Sequence, residues 1–473
     1  MVIGGGISGL AAAAELSLIP GVRVTVLEAS SRLGGKLAQT EVGGVRIDTG
    51  AESLLNTRPE AVDLVREAGL GDRVVHPATA KAWLWSRDRM HPMPAGLVMG
   101  APSGFASVAR GGVLSAAGVM AMGAGTLRRR APISTASIGS TSIGDYVASL
   151  AGREVVDRLV DPLLAGVYAG DPYALDLESV APSLAKAATE HSTLTGAASA
   201  ARRSPSVPVF AGIDGGIGTL PPALAATLES RGVWIRKGSR VSALHRVGSG
   251  GWSVAVAPEF ADGAQGSENI TCDAVVLAVP APIAADLLEA HSADSAEALR
   301  EIPYASVAVV SFAYPAEQRR HLPQGSGFLV PSIDEHFIKA STFSSIKWAW
   351  TGCASGVDRS DGLLMLRASV GRWRETASLQ LSDAEIIAAA HADLVTAVGL
   401  TAPPVDTHVE RWNDSLPQYL VGHRARVARV RAGLDGLNGL AMCGAALDGV
   451  GIAACVASGR AAARQAVAQP PVS

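Results

Sequence analysis

Aromatic residues are sparse in this 473-residue chain, at 4%, and there are only four cysteines, at 272, 353, 443 and 455. No two cysteines form a C-x-x-C pair, which argues against a disulfide framework or a thiolate metal site and suits buried thiols in a reducing cytoplasm. Lysine is scarce too, six among 40 basic residues, and the net charge of −3 leaves no basic field for nucleic acid. Histidines show no metal-ligand spacing, so no metal is expected, and His423 reads as a structural residue in a turn. No charged n-region or cleavage site stands before the first glycines, so no signal peptide is expected. The uncharged stretch 111–127 runs into Arg128-Arg129-Arg130 but is short and diluted by Gly and Ser. It is expected to be a buried or surface-docked helix, its basic end suiting a helix C-terminus or a loose, peripheral membrane contact. No internal repeat is visible.

What the chain has is apolar content, 48%, and 52 glycines. The first excludes a disordered chain and allows two or three domains sharing a core. The second is put to use at once. "MVIGGGISGLAAAAEL" reads as a strand end, a Gly4-x-Gly6-x-x-Gly9 turn and a helix start. Gly4 permits the tight turn, Gly6 lets backbone approach a pyrophosphate, and Gly9 lets helix and strand pack closely. The free N–H groups at the helix start face the phosphates. A second strand, 22–28, ends at Glu28, where a carboxylate accepts ribose hydroxyls and repels a 2′-phosphate. The first strand is short before Gly4 for a central parallel strand, which points to a late start.

Two further segments follow. "EASSRLGGK" sets Arg32 and the Gly34-Gly35 doublet just past Glu28, and "VRIDTGAESLL" makes an apolar-Asp-x-Gly turn at Asp48 and Gly50. Nicotinamide dehydrogenases do not usually carry this sequel. The three motifs together resemble the flavin oxidoreductase superfamily of amine oxidases, phytoene desaturases and porphyrinogen oxidases, in which both segments wrap an extended FAD. The resemblance implies an α/β fold with α+β inserts: a Rossmann-like FAD-binding domain split in sequence, a substrate domain and a helical domain. The boundaries expected are 1–75, 206–282 and 406–473 for the FAD domain, 76–205 for a mostly helical and membrane-facing domain, and 283–405 for the substrate domain. Within these, 209–232 reads as a Gly-Gly turn and helix, 233–244 and 251–257 as strands, and 258–269 as a surface hairpin loop. A buried strand is expected in 272–280, strands in 306–314 and 362–370, and a helix in 382–400.

Three segments narrow the resemblance. "PLLAGVYAGDPYALDLESVAPSL" (162–184), "RWNDSLPQYLVGH" (411–423) and "GAALDGVGIAACVASG" (444–459) look like signatures of the oxygen-dependent protoporphyrinogen/coproporphyrinogen III oxidases. "FSSIKWAW" (343–350) resembles the Gram-positive coproporphyrinogen III oxidase type. By that resemblance Gly4, Gly5, Gly6, Ile7, Ser8 and Gly9, with Glu28 and Ala29, would hold the pyrophosphate and adenosine ribose. Arg32, Gly35 and Lys36 would continue that contact, Gly50, Ala51, Glu52 and Ser53 would pass along the flavin, and Val241 would bond adenine through its backbone. Trp412 would pack beside the flavin, and Gly444, Val450, Gly451 and Ile452 would meet its ring end. Gly166, Tyr168 and Gly170 would form a close wall on the ring.

The chemistry so implied is removal of six electrons from a porphyrinogen, two per flavin turn, with oxygen reduced to hydrogen peroxide, in haem biosynthesis. Positioning and the flavin do most of that work, so no catalytic base is named. Coproporphyrinogen III carries four propionates and protoporphyrinogen IX two. The substrate segment offers Lys339, Lys347, Arg367, Arg372 and Arg374 to hold carboxylates, and the two scarce lysines are favoured. Coproporphyrinogen III is the expected substrate, protoporphyrinogen IX the alternative, and an amine oxidase, a desaturase or a flavin-free binding module lies further off. A ferrochelatase partner or a second copy of the chain is a further expectation.

Overall fold

In the computed structural model the described residues are 1–127, 131–202, 207–248, 250–257, 268–351 and 362–468. Five short parallel strands form the dinucleotide sheet, in the order Trp234–Arg236, Thr25–Leu27, Val2–Ile3, Val275–Leu277 and Leu440–Met442. Their residues are drawn from nearly the whole length of the chain, which is why the sheet cannot be read as one contiguous domain. Four of the strands are near-continuously buried, as parallel strands covered on both faces require, and the edge strand Trp234–Arg236 is not.

Ala11, Ala12, Ala13 and Ala14 of the first helix, Ile7–Leu16, are fully buried. Small side chains let the last helix, Ile452–Ala468, cross it at short range. The contact is so close that a Cβ on Gly459 would lie 2.1 Å from the Ser8 carbonyl oxygen. The two helix starts are thereby held side by side at the ends of strands Val2–Ile3 and Leu440–Met442.

A seven-stranded sheet lies beyond. Its order is Asp406–Pro417, Tyr304–Pro315, Leu363–Val370, Ile338–Thr342, Gly327–Leu329, Trp83–Ser86 and Arg89–Pro92. All neighbours are antiparallel except Gly327–Leu329 against Trp83–Ser86. Phe312, Tyr314, Leu364 and Leu366 on one face pack with Ile386, Ala390 and Leu394 of the helix Asp383–Val398, which opens in a Ser382/Glu385 capping box and closes at left-handed Gly399. Helices between Phe105 and Ala201 build a separate apolar cluster.

The structure differs from the sequence expectations at several points. Strands 83–86 and 89–92 lie inside the segment expected to be mostly helical, and strand 406–417 inside the segment expected to belong to the FAD domain; all three are in the seven-stranded sheet. The single strand expected over 233–244 is two, because left-handed Gly238 turns the chain out of the parallel sheet and into the antiparallel one formed by Val241–Val247, Gly251–Val256 and Glu268–Cys272. The strand expected over 22–28 is confined to Thr25–Leu27. The helix found in 111–127 is Ala116–Leu127, a surface helix with Met120 69% and Leu127 85% exposed. Among the described residues no helix is long and apolar enough to cross a membrane. Cys443 and Cys455 are buried thiols, whereas Cys272 is only partly covered. Of the hairpin loop expected over 258–269, residues 258–267 lie outside the described residues and 268–269 begin the strand Glu268–Cys272; Cys353, the Arg128–Arg130 run and the tail 469–473 also lie outside the described residues.

The helix crossing yields a direct test. Gly459→Ala adds a methyl where no space exists, and overpacking of this kind costs about 1–3 kcal/mol. Thermal unfolding of the variant should show a lower Tm; an unchanged melt would mean that the two helices separate freely.

Candidate active site

The glycine loop is built as its residues demand. Gly4 takes φ +106°, and its N–H donates to Leu27 O at 2.8 Å. A Cβ on Gly9 would lie 1.9 Å from Gly4 O, so only glycine lets the helix start tuck under the loop. Gly6 caps the helix with no side-chain bond, and a Cβ there would meet nothing within 4 Å. The first N–H groups of the helix at Ile7, Ser8 and Gly9 therefore open onto free space, a site suited to an anion. Glu28 closes the loop: one carboxylate oxygen accepts Gly5 N–H at 2.7 Å and the other Ser30 N–H at 2.8 Å. Gly34 N–H donates to Gly5 O at 2.9 Å, so the 32–36 segment lies directly on the first turn. Ala29, Arg32 and Gly35 are exposed there. Ser239 N–H donates to Glu28 O at 2.8 Å, which brings buried Val241 to the same end.

Lys36 extends inward from this segment. Burial holds its ammonium below the usual lysine range, with only the Cys455 thiol opposing that shift, and no described residue pairs with it. A partly buried cation with no partner among the described residues, beside two uncapped helix starts, is an observation that fits an anionic dinucleotide.

Residues 48–53 run from that end toward the seven-stranded sheet. Asp48 accepts Ile217 N–H at 2.9 Å and Gly218 N–H at 2.8 Å; burial still raises its pKa to about 6. A Cβ on Gly50 would lie 1.9 Å from Lys36 O and 3.3 Å from the Trp412 ring. The Trp412 indole N–H donates to Thr49 O at 3.0 Å, and the Arg32 guanidinium lies 5.6 Å from the ring centroid. Ala51 follows, half-buried. Glu52 is buried and receives Arg367 Nη1 at 2.5 Å, the Trp348 indole N–H, Ser344 Oγ at 3.3 Å and Lys347 Nζ at 3.5 Å. Burial alone would raise its pKa, but Lys347 and Arg367 outweigh it and hold the carboxyl near 2. Lys347 also donates to Ser53 Oγ at 2.8 Å, and Arg367 to Gly50 O at 2.7 Å.

The third side comes from the helix Asp161–Tyr168, which ends at left-handed Ala169. Gly166 thus sits in a helix and Gly170 just beyond its cap. Trp373 N–H donates to Ala169 O and Gln418 Nε2 to Tyr168 O, both at 2.7 Å, tying this wall to the strand that carries Trp412. Tyr168 meets Tyr419 at 5.7 Å between centroids, Tyr419 stacks on His423 at 4.0 Å, and its hydroxyl donates to Ala445 O in the last turn. That turn holds Gly444 at φ +125° and Gly449 at φ +133°; Val450 packs against the helical cluster, and Gly451 opens onto free space before the helix begins at Ile452.

Contacts thus tie together the glycine loop, the 28–36 segment, residues 48–53, Trp412, the 166–170 wall and the closing turn. Among the expected carboxylate-holding cations the structure discriminates. Lys347 and Arg367 are engaged by Glu52, Arg372 Nη2 donates to Val330 O at 2.8 Å, and Arg374 stacks over Trp373 at 4.0 Å. Lys339 is buried and bonded to no described residue. Trp348, Gln418, Tyr419 and Trp373 carry the site's frame and were not singled out from the sequence. The first three stand inside recognised motifs, but which partner each reaches is invisible until the chain folds. Among the described residues no cluster of three or more His, Cys, Asp or Glu is placed to hold a metal.

Comparison with known proteins agrees with this geometry. The coproporphyrinogen III oxidase of Mycobacterium tuberculosis (strain ATCC 25618 / H37Rv) is 38% identical over 466 residues, covering 97% of this chain and 95% of the relative. That of Bacillus subtilis (strain 168) is 30% identical, covering 99% and 97%. A crystal structure from Exiguobacterium sp. 255-15, titled as a candidate protoporphyrinogen oxidase, superposes with a TM-score of 0.82 at 28% identity and covers 98% and 97% of the two chains. The family described as flavin-containing amine oxidoreductase matches residues 7–467. With glycine turn, orphaned lysine and uncapped helix starts gathered as an extended dinucleotide requires, the chain belongs to the flavin-containing amine oxidoreductases, and its cofactor is FAD.

Proposed function

We propose that this chain oxidises coproporphyrinogen III to coproporphyrin III, with three O2 reduced to three H2O2, in haem biosynthesis. The observation that carries the reading is full-length similarity to coproporphyrinogen III oxidases, together with a wall at 166–170 whose Ala169 packs in one cluster with Trp412, the residue bonded to Thr49. Bound FAD would take up two electrons per cycle and pass them to oxygen.

The chain's own part is positioning. Gly4 to Gly9, Glu28 and Lys36 would bind the dinucleotide, Gly50 to Ser53 and Trp412 would flank the flavin, and Gly444 with Val450 to Ile452 would offer backbone N–H groups at its ring end. Exposed Gly166 would leave room for a flat macrocycle; Gly170, expected to share that wall, is instead buried, and a Cβ there would lie 2.7 Å from both Gln418 Oε1 and Leu175, so that glycine serves packing. Burial raises the Tyr168 pKa to about 12, and burial with Arg426 lowers that of His423 to about 4. Neither exchanges a proton near neutral pH, in keeping with a reaction that needs little general-base help. The same reading puts the chain in the cytoplasm. Membrane contact would be confined to the surface helix Ala116–Leu127, and a ferrochelatase or a second copy of the chain would be the protein partner.

Two outcomes are expected. Purified protein should be yellow with FAD absorption, and porphyrin fluorescence should give a higher kcat/KM on coproporphyrinogen III than on protoporphyrinogen IX. The reverse order would support the protoporphyrinogen reading to which the Exiguobacterium title points. Second, Glu52→Gln removes the buried partner of Arg367 and Lys347, a loss worth about 3–5 kcal/mol. The variant should melt lower and release FAD more readily at pH 7. Because the Glu52 pKa is depressed in the fold, this stabilisation is present above about pH 4.5 and should fade toward pH 2 in the parent protein.

A further inference from the structure

Buried cations in a folded chain normally have a counter-charge or a full set of acceptors. Lys339 has neither. It is 2% exposed, on the strand Ile338–Thr342, and no described residue accepts a hydrogen bond from its ammonium. Its main charged neighbour is Arg372, which repels it, while Glu375 opposes weakly; burial and that repulsion bring its pKa down to about 7. Arg372 is itself under-satisfied. Its Nε is buried without a partner, its Nη1 is 3.9 Å from a mostly exposed Glu375, and only Nη2 makes a bond. Asp161 senses Arg372 too, but its Oδ2 is occupied by Ser332 N–H at 2.7 Å.

The pair adjoins the glycine wall. Val330 links them: its N–H donates to Lys339 O at 2.9 Å and its carbonyl accepts from Arg372 Nη2. The preceding Leu329 would lie 3.5 Å from a Cβ on Gly166, and Trp373, next to Arg372, is bonded to Ala169. Lys339, bonded to no described residue, and the incompletely satisfied Arg372 thus stand near the edge of the candidate tetrapyrrole slot, while Lys347, Arg367 and Arg374 are engaged by Glu52 and the Trp373 ring.

We propose that Lys339 Nζ, assisted by Arg372, binds one of the two propionates that coproporphyrinogen carries where protoporphyrinogen has vinyl groups, and so sets the choice between them. This rests on the reading of the slot as a porphyrinogen site. A propionate supplies the missing counter-charge; a vinyl leaves a desolvated cation pair unpaired, which penalises the wrong substrate.

Lys339→Met and Lys339→Arg test it, each compared with the parent protein in its FAD-loaded form. For Lys339→Met the KM for coproporphyrinogen III should rise about tenfold or more, the loss of one charge-assisted bond, with kcat within about twofold. The KM for protoporphyrinogen IX should stay level or fall, and Lys339→Arg should recover most of the coproporphyrinogen KM. The Tm of Lys339→Met should equal or exceed that of the parent, because a strained buried charge has gone; a structural lysine would show the opposite. Unchanged KM for both substrates, or an equal rise for both, overturns the assignment while leaving the oxidase reading intact. A parent protein that oxidises neither porphyrinogen overturns both.

Discussion

One buried carboxylate joins the halves of this molecule. Glu52 comes from the segment that continues the dinucleotide loop; Arg367, Lys347 and Trp348 come from the seven-stranded sheet and its edge. A lone carboxylate at that depth would protonate rather than stay charged. Two cations and an indole N–H reverse the sign of the shift, so the charge persists and the 50–53 segment cannot leave the sheet without stranding it. The position of the 50–53 segment against the seven-stranded sheet is thereby set by a single ion-paired cluster, with Arg367 also gripping Gly50 O from the same guanidinium.

Around that cluster, glycine is used for proximity more than for flexibility. At Gly9, Gly50 and Gly459 an added Cβ would fall about 2 Å from a carbonyl oxygen of a neighbouring segment. These contacts close the loop of Gly9 on Gly4, lay Gly50 on Lys36 and bring the last helix onto Ser8 of the first. At Gly6 and Gly451 the opposite holds, and the missing side chain leaves open space in front of uncapped N–H groups. The same residue type therefore builds both the walls and the vacancy of the site.

Buried charge is divided between two uses. Lys347 and Arg367 are neutralised within the protein and maintain shape. Partly buried Lys36 and buried Lys339 have no partner among the described residues, one beside the glycine loops and one on the seven-stranded sheet. An enzyme that takes an anionic cofactor and an anionic substrate can leave such cations unsatisfied at a stability cost, since each ligand supplies the missing charge on binding.

The glycine spacing, Glu28, the Gly-Gly doublet and the closing turn were legible from the sequence, because each is a local demand: a positive φ, a close approach, a free helix start. Periodicity likewise located the 382–400 helix and the long strands near 306–314 and 362–370. What could not be read was partnership across the chain. The sequence presents Lys339, Lys347, Arg367, Arg372 and Arg374 as equivalent candidates for a substrate carboxylate; folding brings Glu52 to two of them, Val330 O to a third, the Trp373 ring to a fourth, and leaves Lys339 alone. Strands 83–92 and 406–417 joined a sheet assigned by sequence to other residues for a similar reason: strand pairing is non-local, and nothing within a short segment names its neighbour. Local backbone geometry was written in the residues themselves, whereas the pairing of charges and strands depended on contacts that exist only once remote segments are packed together.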